Sequence, residues 1–180
     1  MSDKPLIVAC IPAYNEERTL ARVVLLAQKH VDKVIVCDDG CTDLTAEIAE
    51  RLGAEVIRHE RNLGYGAAIR SLFKRAQELG ADVMVTLDGD GQHDPSEIPV
   101  LVKPILDGRA DVVVGSRFLE EAKETEIPSY RRFGIKAITK LTGAAANYGI
   151  RDAQSGFRAY GYRALEGLRL FEDGMGISAE

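Results

Sequence analysis

Short apolar runs alternate with helical patterns up to residue 115, and this alternation restricts the fold more than any other feature of the chain. The apolar runs predict strands at 6–11, 34–36, 55–57, 82–87 and 111–115. Between them, apolar residues recur every three or four positions, which predicts helices at 15–29, 43–52, 66–79 and 96–106. Parallel strands need such crossovers. The order therefore predicts an α/β fold with a single, Rossmann-like, mostly parallel sheet and helices on both faces.

The pattern changes after Arg117. Residues 119–129 are polar and acidic, which predicts a loop that orders when a ligand binds, and 130–148 has the periodicity of a helix. A short strand or turn and a last helix near 162–170 complete the chain. We divide the single predicted domain into a ligand-binding part that ends at Arg117 and a C-terminal part, 118–180.

The composition excludes several classes of protein. With 180 residues, of which 46% are hydrophobic and 28% charged, the chain can form one globular domain with a core. A net charge of −5 argues against a general nucleic-acid binder. No transmembrane-length apolar run or signal-peptide core is present. Cys10, Cys37 and Cys41 fit a reducing, cytoplasmic compartment, and the first two lie in apolar runs that predict burial.

Two aspartates, one residue apart, follow the fourth predicted strand. Asp88 and Asp90 stand where the strand ends, and the glycines on either side of Asp90 let a ligand approach the backbone. Asp94 and Pro95 are typical of the cap and first residue of the next helix. Hard oxygen ligands at this position favour Mg²⁺ or Mn²⁺ shared with a substrate phosphate. Taken alone, an Asp-x-Asp sequence is better explained by a solvated acidic turn, and the other strand ends must support a ligand site.

Polar and aromatic residues also close the first two predicted strands. Pro12 cannot donate to a sheet, so we expect the chain to leave the sheet there. Asn15 suits the cap of the following helix, and Tyr14 could stack on a nucleotide base. Of Asp38 and Asp39, one can cap the next turn while the other accepts from a base or ribose. The carboxyl ends of parallel strands share one edge, so these residues predict a ligand crevice.

Arginines near the fifth strand could balance negative charge. Arg117 follows that strand, and its planar guanidinium suits a diphosphate. Arg131 and Arg132 could supply a second cation, although an ordinary solvated charge cluster explains them equally well.

Five ordered motifs resemble the family 2 glycosyltransferases, which have the GT-A fold. They are Pro12-Ala-Tyr14-Asn15-Glu16, Asp38-Asp39-Gly40, Asn62-Leu-Gly64-Tyr-Gly66-Ala, Asp88-Gly-Asp90-Gly-Gln92-His-Asp-Pro95 and Gly115-Ser-Arg117. Within that family, Gln92-His93-Asp94-Pro95 and Ser155-Gly156-Phe157-Arg158 resemble the dolichyl-phosphate mannose or glucose synthase branch. The resemblance covers about residues 5 to 180. It implies a metal-dependent, inverting sugar transfer from a UDP- or GDP-linked donor to a polyprenyl phosphate, at the cytosolic face of a membrane.

The resemblance also implies roles for individual residues. The residues that would hold the nucleoside are Pro12, Tyr14, Glu16, Cys37 and Asp39. The residues that would coordinate the metal and the diphosphate are Asp88, Asp90 and Gln92, with Gly89 beside them.

Charge neutralisation and proton transfer would fall to other residues. Arg117 and Arg131 (or Arg132) would neutralise phosphate charge, and Asp90 and Arg117 would be catalytic through the leaving diphosphate. A phosphate acceptor is already anionic and needs little help from a base, since its second pKa is ~6. A glycan or other hydroxyl acceptor would need one, and Asp152 is the candidate.

Other functions fit the sequence less well. A nucleotidyltransferase would need a glycine-rich, basic phosphate loop after the first strand, which Ile11-Pro-Ala-Tyr-Asn lacks. A dinucleotide-dependent dehydrogenase would need a third glycine, and Gly64-Tyr-Gly66 follows the third strand. A non-catalytic nucleotide-sugar-binding domain stays open. The chain stops at Ile177-Ser-Ala-Glu180, where the family continues into more helix and often membrane-associated elements, so we expect a truncated C-terminus.

Overall fold

One sheet organises the part of the chain that the structure, a computed structural model, describes: residues 4–116, 134–138 and 156–167. Its strands are β1 (Ile7–Ala13), β2 (Lys33–Asp38), β3 (Glu55–Arg58), β4 (Val83–Thr86), β5 (Val112–Ser116), β6 (Gly134–Ile138) and β7 (Arg158–Gly161). Their order across the sheet is β3-β2-β1-β4-β7-β5-β6. Strands β1 to β5 run in one direction, and β6 and β7 run against them. The predicted single, mostly parallel sheet is confirmed.

Helices cover both faces of this sheet, as predicted. They are α1 (Leu20–Ala27), α2 (Thr45–Arg51), α3 (Tyr65–Glu78), α4 (Ile98–Leu106) and α5 (Tyr162–Gly167), with a 3₁₀ turn at Pro95–Glu97 before α4. Successive side chains of a strand face opposite sides. Ala9 and Ile11 therefore pack in the core with α1, α2 and α4, whereas Val8 and Cys10 pack with α3 and α5. Both core layers are closed to water.

The prediction that the chain leaves the sheet at Pro12 is wrong. Strand β1 continues to Ala13 alongside β2. Backbone groups of a strand alternate between its two neighbours: the Cys10 carbonyl accepts from Leu87 N at the end of β4, and the Ala13 carbonyl accepts from Asp39 N at the end of β2. Pro12 therefore faces the β4 side, where the ladder has already ended at Cys10. Its missing N–H costs the sheet no hydrogen bond.

The prediction that Asn15 caps the first helix is wrong. Asn15 has a φ of +57°, and its Oδ1 accepts from Thr42 N at 2.9 Å, while α1 begins only at Leu20. Asparagine tolerates this left-handed backbone and often bonds to nearby turns. Its role is to tie the end of β1 to the turn between β2 and α2. Asp94, in contrast, caps as predicted, since its side chain accepts from Ser96 N.

The predicted helix over 130–148 is wrong where it can be compared. Residues 134–138 form β6, antiparallel to β5, and the remainder of that prediction lies outside the described residues. Without β6, one edge of β5 would present unpaired backbone groups, so strand pairing overrides the helical spacing of the side chains. β7 was expected as a strand or turn. It lies between β4 and β5, so the C-terminal part of the chain completes the same sheet.

Gly40 brings two loops of the sheet edge into contact. It follows β2 with a φ of +73°, and a Cβ atom there would lie 2.3 Å from the Arg61 carbonyl carbon and 2.5 Å from Asn62 N. The turn after β2 therefore packs directly on the backbone of the loop after β3. Both the backbone conformation and the available space require glycine at this position.

We predict that Gly40→Ala destabilises the protein more than Gly53→Ala does. Gly53 has a similar φ of +79°, but a Cβ there would meet nothing within 4 Å, so it isolates the backbone strain. That strain costs about 1 kcal/mol, and the clash at Gly40 adds about 1–3 kcal/mol. In thermal unfolding, Gly53→Ala should lower Tm by about 2–4 °C and Gly40→Ala by clearly more. Equal shifts would contradict the close packing of the two loops.

Candidate active site

A cleft of about 430 Å³ opens where β1, β2 and β4 end. The residues predicted from sequence that line it are Pro12, Tyr14, Glu16, Asp39, Asp88, Gly89 and Asp90. Residues from two further segments also face the cleft: Asn62, Gly64, Tyr65 and Ala68 at the start of α3, and Gly156 before β7. The structure thus brings the ends of three predicted strands to one crevice. Tyr14 is 48% exposed, which leaves its ring accessible for stacking.

The loop after β4 presents its two carboxylates to this cleft. Asp90 Oδ1 accepts from Gln92 N at 2.9 Å, which closes the turn, and Gly91 adopts a φ of +79°. Asp88 is held from behind by His93, a buried side chain whose ring stacks on Phe157 with centroids 5.4 Å apart. His93 Nδ1 accepts from Asp88 N at 3.4 Å. The same nitrogen lies 3.6 Å from Asp88 Oδ2, so His93 contacts both the backbone and the carboxylate of Asp88.

Gly156 packs against the Asp88 carboxylate. A Cβ on residue 156 would lie 2.5 Å from Asp88 Oδ2 and 2.6 Å from Oδ1. Thr86 Oγ donates to the Gly156 carbonyl at 2.8 Å and holds the two segments together. Gly156 of the Ser155-Gly156-Phe157-Arg158 motif therefore has a physical role that the sequence did not reveal: its lack of a side chain leaves room for the Asp88 carboxylate in the cleft wall.

The two acids after β2 have different roles. Asp38 Oδ1 accepts from Cys41 N at 2.7 Å and caps the turn, as predicted for one of the pair. Asp39 is 4% exposed and lines the cleft, where Oδ1 accepts from Leu63 N at 2.9 Å and Oδ2 from Gly64 N at 2.8 Å. Asp39 therefore anchors the loop before α3 through two backbone amides.

His59 contributes to this region and was missed in the sequence. Its Nδ1 lies 2.6 Å from Asp39 Oδ1, and its Nε2 lies 2.8 Å from Ser71 Oγ on α3. The side chain is 10% exposed. One signal could have revealed it: His59 directly follows β3, so it stands at the same edge of the sheet as the acids.

Cys37 does not line the cleft, contrary to the nucleoside contact that the resemblance implied. It has no exposed surface and packs in the core with α3. Burial, with a smaller contribution from the Asp39 and Asp38 charges, raises the pKa of its thiol to about 12, so Cys37 is a neutral thiol at neutral pH. Cys10 is also fully buried, as predicted. Side-chain alternation along β2 turns Cys37 toward α3 and away from the crevice.

Gln92 points to a neighbouring hollow rather than to the cleft. It is exposed and lines a space of about 120 Å³ together with Arg22 and Leu26 of α1. Its backbone N–H closes the Asp90 turn, so the residue shapes the acidic loop by its main chain. The structure therefore brings Asp88 and Asp90 together and leaves Gln92 beside them.

Several predicted residues and one predicted loop lie outside the described residues: Arg117, Arg131, Arg132, Asp152 and 119–129. In the part that is described, no three His, Cys, Asp or Glu side chains converge into a metal site. Mg²⁺ and Mn²⁺ do not need one, because they are commonly held by one or two carboxylates and substrate phosphates. Across the same residues, no helix has the length and hydropathy needed to cross a bilayer.

Two proteins with sequences similar to this chain have names that describe sugar transfer to a dolichyl phosphate. The chain is 37% identical to UDP-N-acetylglucosamine–dolichyl-phosphate N-acetylglucosaminyltransferase of Methanococcus voltae, over 93% of this chain and 74% of that protein. It is 34% identical to dolichol-phosphate mannosyltransferase of Pyrococcus furiosus, over 94% of this chain and 50% of the relative.

Solved structures of glycosyl-transfer enzymes share the fold of this chain. Glucosyl-3-phosphoglycerate synthase of Mycobacterium tuberculosis matches with a TM-score of 0.69 and 26% identity, over 97% of this chain and 64% of that one. Its complex with Mn²⁺, UDP and phosphoglyceric acid matches with a TM-score of 0.68 and 26% identity. The chain spans less than two thirds of these structures' length.

The architecture is that of the GT-A glycosyltransferases, and the paired aspartates stand at the crevice between β1 and β4. The family model described as glycosyl transferase family 2 matches residues 8–169, nearly the whole chain. The protein therefore belongs to glycosyl transferase family 2.

Proposed function

We propose that this protein transfers a sugar from a nucleoside-diphosphate sugar to a polyprenyl phosphate, with inversion at the anomeric carbon and with the help of Mg²⁺ or Mn²⁺. One observation carries the proposal: a single cleft is lined by Tyr14 and Asp39 on one side and by Asp88 and Asp90 on the other. The first pair suits a nucleoside, and the second suits a cation on its diphosphate. The names of the two relatives support a dolichyl-phosphate acceptor.

The metal would be held by Asp88 and Asp90, whose hard oxygen donors face the cleft and fit such an ion. When bound, it supplies charge compensation for the leaving diphosphate. Asp88 is preset for this role, because Gly156 packs on its carboxylate and His93 Nδ1 accepts from its backbone N–H. A related structure was solved in complex with Mn²⁺ and UDP, which supports a divalent cation and a nucleoside diphosphate as ligands of this cleft.

The transfer itself needs few groups from the protein. An oxygen of the acceptor phosphate forms the new bond to the anomeric carbon, while the bond to the diphosphate breaks and the nucleoside diphosphate leaves. We assign donor binding to the part of the chain up to Arg117 and acceptor binding to residues 118–180. Within this scheme Arg117 and Arg131 neutralise phosphate charge. A lipid-linked acceptor places the reaction at the cytosolic face of a membrane.

Removing one acid of the pair should abolish the metal-dependent part of donor binding. Asp90→Asn is expected to weaken UDP binding in the presence of Mn²⁺ at least about tenfold in isothermal titration calorimetry, because an amide is a poorer ligand for a hard cation. Asp94→Asn is the matched control, since it removes one charge from the same loop and asparagine can still cap the 3₁₀ turn. Unchanged nucleotide affinity of Asp90→Asn with Mn²⁺ would refute the metal assignment.

Crowding Asp88 should have the same effect without changing any charge. Gly156→Ala puts a methyl group into contact with both carboxylate oxygens, so Mn²⁺-dependent UDP binding should fall at least about tenfold. Gly167→Ala is the control, because a Cβ there would meet nothing within 4 Å. Melting temperatures of both variants, measured without nucleotide, separate a loss of binding from a loss of folding. If Gly156→Ala binds UDP with Mn²⁺ as tightly as the parent protein does, the close packing of Gly156 on the Asp88 carboxylate is contradicted.

The acceptor can be identified by following a labelled sugar. We expect radiolabel from a UDP- or GDP-sugar to appear on a polyprenyl phosphate, in an organic-phase extract, when the protein and Mn²⁺ are present. Phosphoglycerate, present in a complex of a related structure, is the competing hydroxyl acceptor. Label that reaches only phosphoglycerate, a glycan or a protein would show a hydroxyl acceptor and would return Asp152 to the role of general base.

A further inference from the structure

The Asp39 carboxylate enters the cleft with most of its acceptor capacity already used. Oδ1 accepts from His59 Nδ1 at 2.6 Å and from Leu63 N at 2.9 Å, and Oδ2 accepts from Gly64 N at 2.8 Å. An ionised carboxylate has about four acceptor positions, two on each oxygen. Among the described residues, Oδ1 is therefore filled, and one position on Oδ2 is left for a ligand.

One acceptor position distinguishes the two bases that a donor of this family could carry. The pairing edge of uracil has one donor, the imide N3–H, between two carbonyl groups. The pairing edge of guanine has two adjacent donors, N1–H and the exocyclic amine, which a carboxylate satisfies only with both of its oxygens. Asp39 is 4% exposed, so guanine would leave one of its two donors unpaired against a buried group, and such unpaired donors are costly.

We infer that this site selects a uridine diphosphate donor over a guanosine one, and that His59 is the positioning residue that sets this selectivity. The inference rests on the proposed function, because it takes the cleft to be the donor site. His59 acts through Asp39. Its Nδ1–H fills Oδ1, and its Nε2 is fixed by Ser71 Oγ at 2.8 Å, so the ring cannot turn away. The burial of both side chains, 10% and 6% exposed, keeps water from replacing this contact.

The test compares the UDP and GDP affinities of the whole chain by calorimetry with Mn²⁺. We expect the parent protein to bind UDP at least about tenfold more tightly than GDP, the effect of about one hydrogen bond. His59→Ala frees Oδ1, so the ratio of the two affinities should fall to about threefold or less. His59→Asn, whose amide can still donate to Oδ1, should restore the ratio. His30→Ala, which removes a histidine outside the cleft, is the control and should leave the ratio unchanged.

Each outcome has a distinct meaning. If neither nucleotide binds in the presence of Mn²⁺, the proposed function itself fails. If the parent protein binds GDP as tightly as UDP, or more tightly, donor binding stands and the inferred selectivity is overturned. If His59→Ala weakens both nucleotides equally and leaves the ratio unchanged, His59 only supports the fold, and its assignment as the specificity-setting residue is overturned. Melting temperatures of the variants show whether each one is folded when its ratio is measured.

Discussion

The whole site depends on the separation of β1 from β4 at their carboxyl ends. The two strands pair as far as Cys10 and Thr86, and then β1 continues with β2 alone. Pro12 lies just past this point on the β4 side, where its lack of an N–H breaks no hydrogen bond. The sheet grows from β1 toward β3 and then resumes with β4 on the other side of β1, and this reversal leaves a crevice between the ends of the two strands. Tyr14, Asp88 and Gly89 line that crevice because their strands diverge there.

Glycine contacts then decide how closely the loops around the crevice approach one another. At Gly40 the turn after β2 packs on the backbone at Arg61 and Asn62, and at Gly156 the segment before β7 packs on the Asp88 carboxylate. A side chain at either position would push two walls of the cleft apart. The loops around the cleft therefore hold one another in place, and together with the sheet they position the acids. The antiparallel insertion of β7 between β4 and β5 is what delivers Gly156 to this place.

The acids of the cleft fall into two classes that a sequence motif does not separate. Asp39 is enclosed, and His59 and two backbone amides fill all but one of its acceptor positions, so it is a fixed part of the wall. Asp88 and Asp90 are half-buried and face the open space, where their charge is available to a cation. A buried carboxylate is stable only when most of its hydrogen bonds are made, whereas a cation needs carboxylate oxygens that face open space. This difference in solvation is the physical basis of the two roles proposed for these groups, base recognition and diphosphate binding.

The amino-acid sequence by itself determined the alternation of strands and helices, and with it the parallel sheet, the edge at which the acids gather and the family. These features follow from local periodicity and from the rule that parallel strands end on one side. Only the tertiary structure decided the rest. The helical spacing of 130–148 gave no sign that 134–138 pairs with β5, since an open strand edge overrides local preference. The contacts of Asn15 with Thr42 and of His59 with Asp39 join segments that are distant in sequence, and such hydrogen bonds leave no periodic trace in a sequence. The burial of Cys37 likewise depends on how β2 packs in the folded protein.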